Sequence, residues 1–260
     1  MEAKKILHAT NLKAPSYDIF EGLLSIKKIG LEEIILLSGS LPEELKEKLS
    51  GHGIKIREVE GSGKLVSRIL DSGKRENVSL IVANLKREKR KLFRGTTARN
   101  LIKNTSLPLL LVNEDNKEIS YSKKGIFDSV ILATDWSDAA QRALNYIIGL
   151  KEIIGVLDIV NVLNKKLTVR DIRQLKGKLE EVRKICLKEK IDAEAHIYAG
   201  KTPKEILLAA KDYNATVIVM GSGPKSTIKE IFLRYPSYKV TEGSSIPVLI
   251  IPQVKKDETT

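Results

Sequence analysis

One pattern is written twice in this chain, and that repeat limits the possible folds more than any other feature. Phe127-Asp-Ser-Val-Ile-Leu-Ala-Thr-Asp-Trp-Ser137 opens one unit, and Lys4-Lys-Ile-Leu-His-Ala-Thr-Asn11 opens another. Later segments correspond as well: Val78–Ala83 with Ala215–Met220, and Leu107–Val112 with Ile246–Ile251. A chain of 260 residues built this way predicts two domains of ordinary size, each able to bury its own core. We place the domains at residues 1–113 and 125–254, joined by a polar, charged and aperiodic linker at 114–124.

Within each unit, short apolar runs alternate with amphipathic stretches. In the second unit, strands are expected at Val130–Thr134, Leu157–Val162, Ala193–Tyr198, Val217–Met220 and Val248–Ile251. Helices are expected at Asp138–Leu150, from a Thr168 cap to about Lys190, from a Thr202 cap through Lys211, and before the last strand. The first unit repeats this order with strands near Lys5–Ala9, Ile34–Ser38, Lys55–Glu58, Leu80–Ala83 and Leu109–Val112, and with a much shorter second helix near Pro42–Leu49. Near-continuous apolar strands alternating with helices predict an α/β fold: two doubly wound domains whose parallel sheets are covered on both faces.

Several function classes fall away. No apolar run is long enough to cross a bilayer, and Met1-Glu-Ala-Lys-Lys leads straight into a strand, so a cytoplasmic protein without membrane association is expected. The single cysteine, Cys186, excludes an internal disulfide and a cysteine-based zinc cluster, and it reads as a buried helical hydrophobe. His8, His52 and His196 are scattered with no metal-ligand spacing. Gly61-Ser-Gly-Lys64 looks like a phosphate-loop fragment, but Leu65 follows it and the first glycine is missing, so it reads as a turn before a helix. The net charge of +12 is weighted to the first half; in Lys86–Arg94, six basic residues accompany one acidic residue. That run reads first as a solvated loop, then as an anion or nucleic-acid surface, then as a protein-docking surface. With only Phe93 available for base stacking, nucleic-acid binding is not expected.

Ligands in such sheets bind at the carboxyl ends of strands, where the strand order reverses. The first strand of the second unit ends in Thr134-Asp135-Trp136-Ser137. The Asp135 carboxylate there could accept hydrogen bonds from a base or ribose, or cap the following helix. The fourth strand ends in Gly221-Ser222-Gly223-Pro224, a turn whose backbone N–H groups suit an anion.

Ile131-Leu-Ala-Thr-Asp-Trp-Ser137, Gly200-Lys-Thr-Pro-Lys-Glu-Ile-Leu207, Val217-Ile-Val-Met-Gly-Ser222 and Ile246–Ile251, in this order and spacing, resemble the universal stress protein family. The resemblance is strong for residues 126–252 and weaker, though in register, for 4–113. It implies a five-stranded parallel sheet per unit in the order 3-2-1-4-5. It also implies an ATP or AMP site made from an aspartate after strand 1, a valine backbone at the end of strand 2 and a Gly-x2-Gly-x9-Gly-Ser/Thr loop, with Mg²⁺ accompanying ATP. The second unit matches at Asp135, Val162 and Gly221, with Thr134, Ser222 and Gly223 alongside. It departs at Pro224, and at Arg234 and Tyr235, where Arg234 could supply charge. In the first unit Asn11, Gly39, Asn84 and Arg87 replace the family residues, while Gly95, Thr96 and Thr97 match the end of the loop.

The expectation is therefore a stress-response module that binds an adenine nucleotide, chiefly in the second domain, without dedicated catalysis. No activated nucleophile or acid/base pair is legible, so hydrolysis is expected to be at most slow and incidental. Pairing of the final strands, Leu109–Val112 with Val248–Ile251, is expected to make an intramolecular pseudo-dimer, with a further homodimer and an unidentified protein partner left open. The alternatives are a non-nucleotide scaffold of the same fold acting through protein partners, and anion or nucleic-acid binding through the basic run 86–94.

Overall fold

The strands Lys5–Thr10 (β1), Glu33–Leu37 (β2), Lys55–Val59 (β3), Leu80–Leu85 (β4) and Leu109–Asn113 (β5) form the first half. Ser129–Ala133 (β6), Val156–Leu163 (β7), Asp192–Ala199 (β8), Val217–Gly221 (β9) and Val248–Ile251 (β10) form the second. The computed structural model describes residues 4–10, 18–37, 39–85, 96–113, 125–164, 168–223 and 236–253. The linker 114–124 and the basic run 86–94 lie outside the described residues.

All ten strands belong to one sheet, in the order β3-β2-β1-β4-β5-β10-β9-β6-β7-β8. Each half is parallel throughout: β1 lies between β2 and β4, and β6 between β7 and β9. The halves meet through the one antiparallel pairing, with Leu111 opposite Val248, Leu110 opposite Leu249 and Leu109 opposite Ile250. These seam residues are buried, so the junction is core and not a surface contact.

Side chains alternate across the sheet and feed two apolar layers. Leu80 and Val82 of β4 join the layer that contains Phe20, Phe127, Leu144 and Leu179, while Ile81 and Ala83 join the layer that contains Ile69, Leu101, Ile206 and Val240. Full burial of each such Leu or Ile is worth about 1.5–3 kcal/mol relative to exposure. The helices follow from this pattern. Asp18–Leu23 (α1), Glu43–Gly51 (α2), Asp138–Ile148 (α5) and Val169–Lys188 (α6) supply the first layer. Leu65–Arg75 (α3), Thr96–Asn104 (α4), Thr202–Asp212 (α7) and Ser237–Gly243 (α8) supply the second. Helices α4 and α8 pack across the seam, where the Arg99 guanidinium lies 5.1 Å from the centre of the Tyr238 ring.

Helix ends follow residue chemistry with one correction. Thr168 caps α6 in a reciprocal capping box with Asp171. Thr168→Ala should cost about 1 kcal/mol in a urea titration. Thr202, expected as a cap, is instead the first residue of α7, and Lys201 occupies the cap position without a side-chain bond. Gly200, at φ +152°, turns the chain earlier, and the Glu205 side chain folds back against it. On α6, Leu175, Leu179 and Cys186 are buried, whereas Ile172 is exposed. Helix α2 has 9 residues against 20 in α6, so the halves differ most in this layer.

Candidate functional site

Strand order reverses around β6, whose neighbours β7 and β9 lead to helices on opposite faces. Two hollows open there at the carboxyl ends of the strands. The larger, about 540 Å³, is lined by Thr134, Asp135, Trp136, Val162, Gln174 and Lys178 among others. The smaller, about 280 Å³, includes Asp135, Ser137, Arg142, Gly221, Gly223 and Gln253. Asp135 lines both.

The turn after β6 is built by short polar side chains. The Thr134 N–H donates to the Val160 carbonyl at 2.9 Å, and Asn161 Nδ2 donates to the Thr134 carbonyl at 2.7 Å, pinning the strand end to β7. Thr134 Oγ1 accepts from the Trp136 N–H at 3.3 Å. Asp135 Oδ1 accepts from both the N–H and the hydroxyl of Ser137, and Ser137 Oγ accepts from Ala140 N–H at the start of α5. Ser137 is thus the helix cap, and Asp135 orients it through a turn. The other carboxylate oxygen of Asp135 has no hydrogen-bond donor among the described residues, and the residue is exposed. Trp136 takes a left-handed backbone, φ +66°, which is rare and costly for a bulky side chain. That conformation sets its ring beside Lys178, whose ammonium lies 5.9 Å from the ring centre.

The residues singled out from sequence distribute unevenly. Thr134, Asp135 and Val162 line the larger hollow, and Gly221 and Gly223 line the smaller. Ser222 lines neither: it is buried, its N–H donates to the Ile251 carbonyl, and its own carbonyl accepts from Arg142 Nη2 at 3.0 Å. Gly221 has a packing role, since a Cβ there would stand 2.0 Å from the Ala139 carbonyl oxygen of α5. Pro224, Arg234 and Tyr235, and in the first half Asn11, Arg87 and Gly95, lie outside the described residues. Thr96 opens α4, and Thr97 is half-buried on it.

Three contributors escaped the sequence reading. Arg142 ties α5 to the end of β9 and to Pro252, bringing a guanidinium to the smaller hollow. Asn161 anchors the strand end, and Lys178 brings a cation to the larger hollow. None of the three carried a signal in the repeat: Arg142 lies beyond the matched opening segment and aligns with Asp18 of the first unit.

The corresponding place in the first half has a different floor. Asn84 stands where the second half has Gly221, with its side chain buried and its Oδ1 without a hydrogen-bond partner among the described residues. His8 stands where the second half has Leu132; it is buried against Phe20, with Nε2 unpartnered among the described residues. Burial pushes its imidazole down to about 4.

Comparison with known proteins gives a consistent picture. A model of the universal stress protein family matches residues 127–252. Universal stress protein YxiE of Bacillus subtilis (strain 168) is 30% identical over 147 residues, which is 48% of this chain and 99% of that protein. Universal stress protein MJ0577 of Methanocaldococcus jannaschii is 31% identical over 97 residues, covering 37% of this chain and 57% of that one. A crystal structure of a universal stress protein from Archaeoglobus fulgidus DSM 4304 superposes with a TM-score of 0.75 at 25% identity, covering 97% of both chains. The chain belongs to the universal stress protein family.

Proposed function

We propose that this universal stress protein binds an adenine nucleotide, ATP or AMP, in its second domain at the carboxyl ends of β6, β7 and β9, and acts as a binding module without dedicated catalysis. The observation that carries this reading is Asp135: one carboxylate oxygen is held by Ser137, the other is left for a ligand hydroxyl or amine, and the residue lines both hollows. The larger hollow falls in the size range of small-molecule sites. It suits the base and ribose, with the Val162 backbone beside them. The smaller, with Gly221, Gly223 and the Arg142 guanidinium, suits phosphate. Mg²⁺ would accompany ATP through its phosphates.

In the same reading the domains are 1–113 and 125–254, and the β5–β10 pairing makes them an intramolecular pseudo-dimer. Gly95, Thr96 and Thr97 would serve a weaker site in the first domain. Among the described residues, no helix is long and apolar enough to cross a membrane.

Calorimetry with ATP and with AMP tests the reading. Asp135→Asn keeps the turn-forming side chain but removes the charge, and it should weaken binding by about tenfold or more. Absence of heat at millimolar nucleotide would instead favour a scaffold that works through protein partners, the reading suggested by the buried Asn84 side chain in the first half.

A further inference from the structure

A second polar cluster lies at the free edge of the sheet, on β7 and β8, where His196 pairs with Val160 of the larger hollow. Asp158 of β7 stands directly opposite Glu194 of β8, and His196, two residues further along β8, projects from the same face. His196 Nε2 is 2.8 Å from Asp158 Oδ1 and 4.0 Å from Glu194 Oε2, and one ligand atom from each of the three residues lies within 4.8 Å of the others. Strand register creates this triad, which is why the separation of these residues along the chain conceals it.

Like charges directly opposite one another across a strand pair are destabilising. Here one of them, Asp158, is also removed from water. Among the described residues, the ion-pair partner of both carboxylates is His196, and no lysine or arginine reaches either one. The cluster is therefore short of positive charge. His196 is also held from its far side: Nδ1 lies 3.0 Å from the Tyr213 hydroxyl, and the two rings stack 4.3 Å apart. Fixing the remote imidazole nitrogen in this way is how proteins orient a metal-binding histidine.

We propose that Asp158, Glu194 and His196 form a divalent-cation site that takes Zn²⁺ and staples β7 to the edge strand β8. One imidazole and two carboxylates, with a fourth position open to water, form a donor set that zinc accepts. Asp158 and His196 are already in place. Glu194, with a side chain 72% exposed, is free to swing inward and close the triad. As a ligand, His196 coordinates through the Nε2 lone pair, with Nδ1–H donating to the Tyr213 hydroxyl oxygen.

The test uses the full, untagged chain, titrated with Zn²⁺ against a chromophoric chelator, and with Co²⁺ for its visible d–d absorption. The expected result is one ion per chain, with affinity reduced at least tenfold in both Glu194→Gln and His196→Ala and unchanged in His52→Ala. Zn²⁺ should raise the melting temperature of the native chain and not that of Glu194→Gln. Because Glu194 is exposed and the Asp158–His196 pair does not need it, Glu194→Gln will fold, so a merely structural pair would leave this variant indistinguishable from the parent. Failure to bind Zn²⁺, or binding that survives either of the two substitutions, overturns the proposal.

Discussion

Gly221→Ala will destabilise the chain by about 3 kcal/mol or more, at or beyond the upper end of the usual cost of overpacking. The added Cβ would lie 2.0 Å from the Ala139 carbonyl oxygen, 2.2 Å from its carbonyl carbon and 2.9 Å from its Cα. All three are backbone atoms of α5, so no side-chain rotation relieves the clash; the helix must move away from β9. For a chain of this size unfolding as one unit, the loss corresponds to a fall of roughly 6–12 °C in Tm. Moving the start of α5 also moves Ser137, and with it Asp135, so nucleotide affinity should fall together with stability. Were the glycine needed only for ligand approach, binding alone would suffer and the melting temperature would hold. Gly177, in the middle of α6, is the control: a Cβ there meets open space, so Gly177→Ala should stabilise by about 0.5–1 kcal/mol. Scanning calorimetry on the three proteins separates these outcomes.

The second large effect is acid sensitivity from the first half. His8 in the unfolded chain takes up a proton near its ordinary value of 6.5, whereas in the folded chain burial delays protonation to about 4. Between those values the unfolded state binds more protons. Stability is therefore full above about pH 6.5 and falls as the pH drops toward 4, by about 3 kcal/mol in all. Denaturant titrations at pH 7 and pH 4.5 on the parent and on His8→Leu, which installs the residue of the second half, should show the parent losing more. The difference between the two proteins isolates His8 from the carboxylates that titrate in the same range. Equal losses in both would assign the acid sensitivity elsewhere. The same substitution removes an unpartnered buried nitrogen and should raise stability even at neutral pH.

These cases show what was legible in the sequence. The strands were, because runs such as Ile34–Leu37 and Val217–Met220 are apolar throughout and buried on both faces. Asp135 and Val162 were legible as site candidates because their place in the repeat puts them at strand ends beside the order reversal. The role of Gly221 was only half legible: a strand-end glycine suggests room for a ligand, but its contact with Ala139 depends on where α5 lies. Arg142 and Asn161 act on backbone carbonyls brought close by packing, a relation that no residue type announces. The cap of α5 fell to Ser137 and not Asp135 because the left-handed turn at Trp136 decides which oxygen reaches the helix. The cluster on β7 and β8 was hidden for the same general reason, since register and not spacing assembles it.

The antiparallel seam between β5 and β10 has one more consequence. In an assembly of two identical chains every substitution appears on both sides at once, so neither site can change without the other. Here the two sides are encoded separately and held together by the chain itself. A glycine can remain at 221 while asparagine occupies 84, and a leucine can remain at 132 while histidine occupies 8. Covalent joining lets each half change by itself while both are inherited together, so one can keep its pattern while the other drifts or is recruited to a new task.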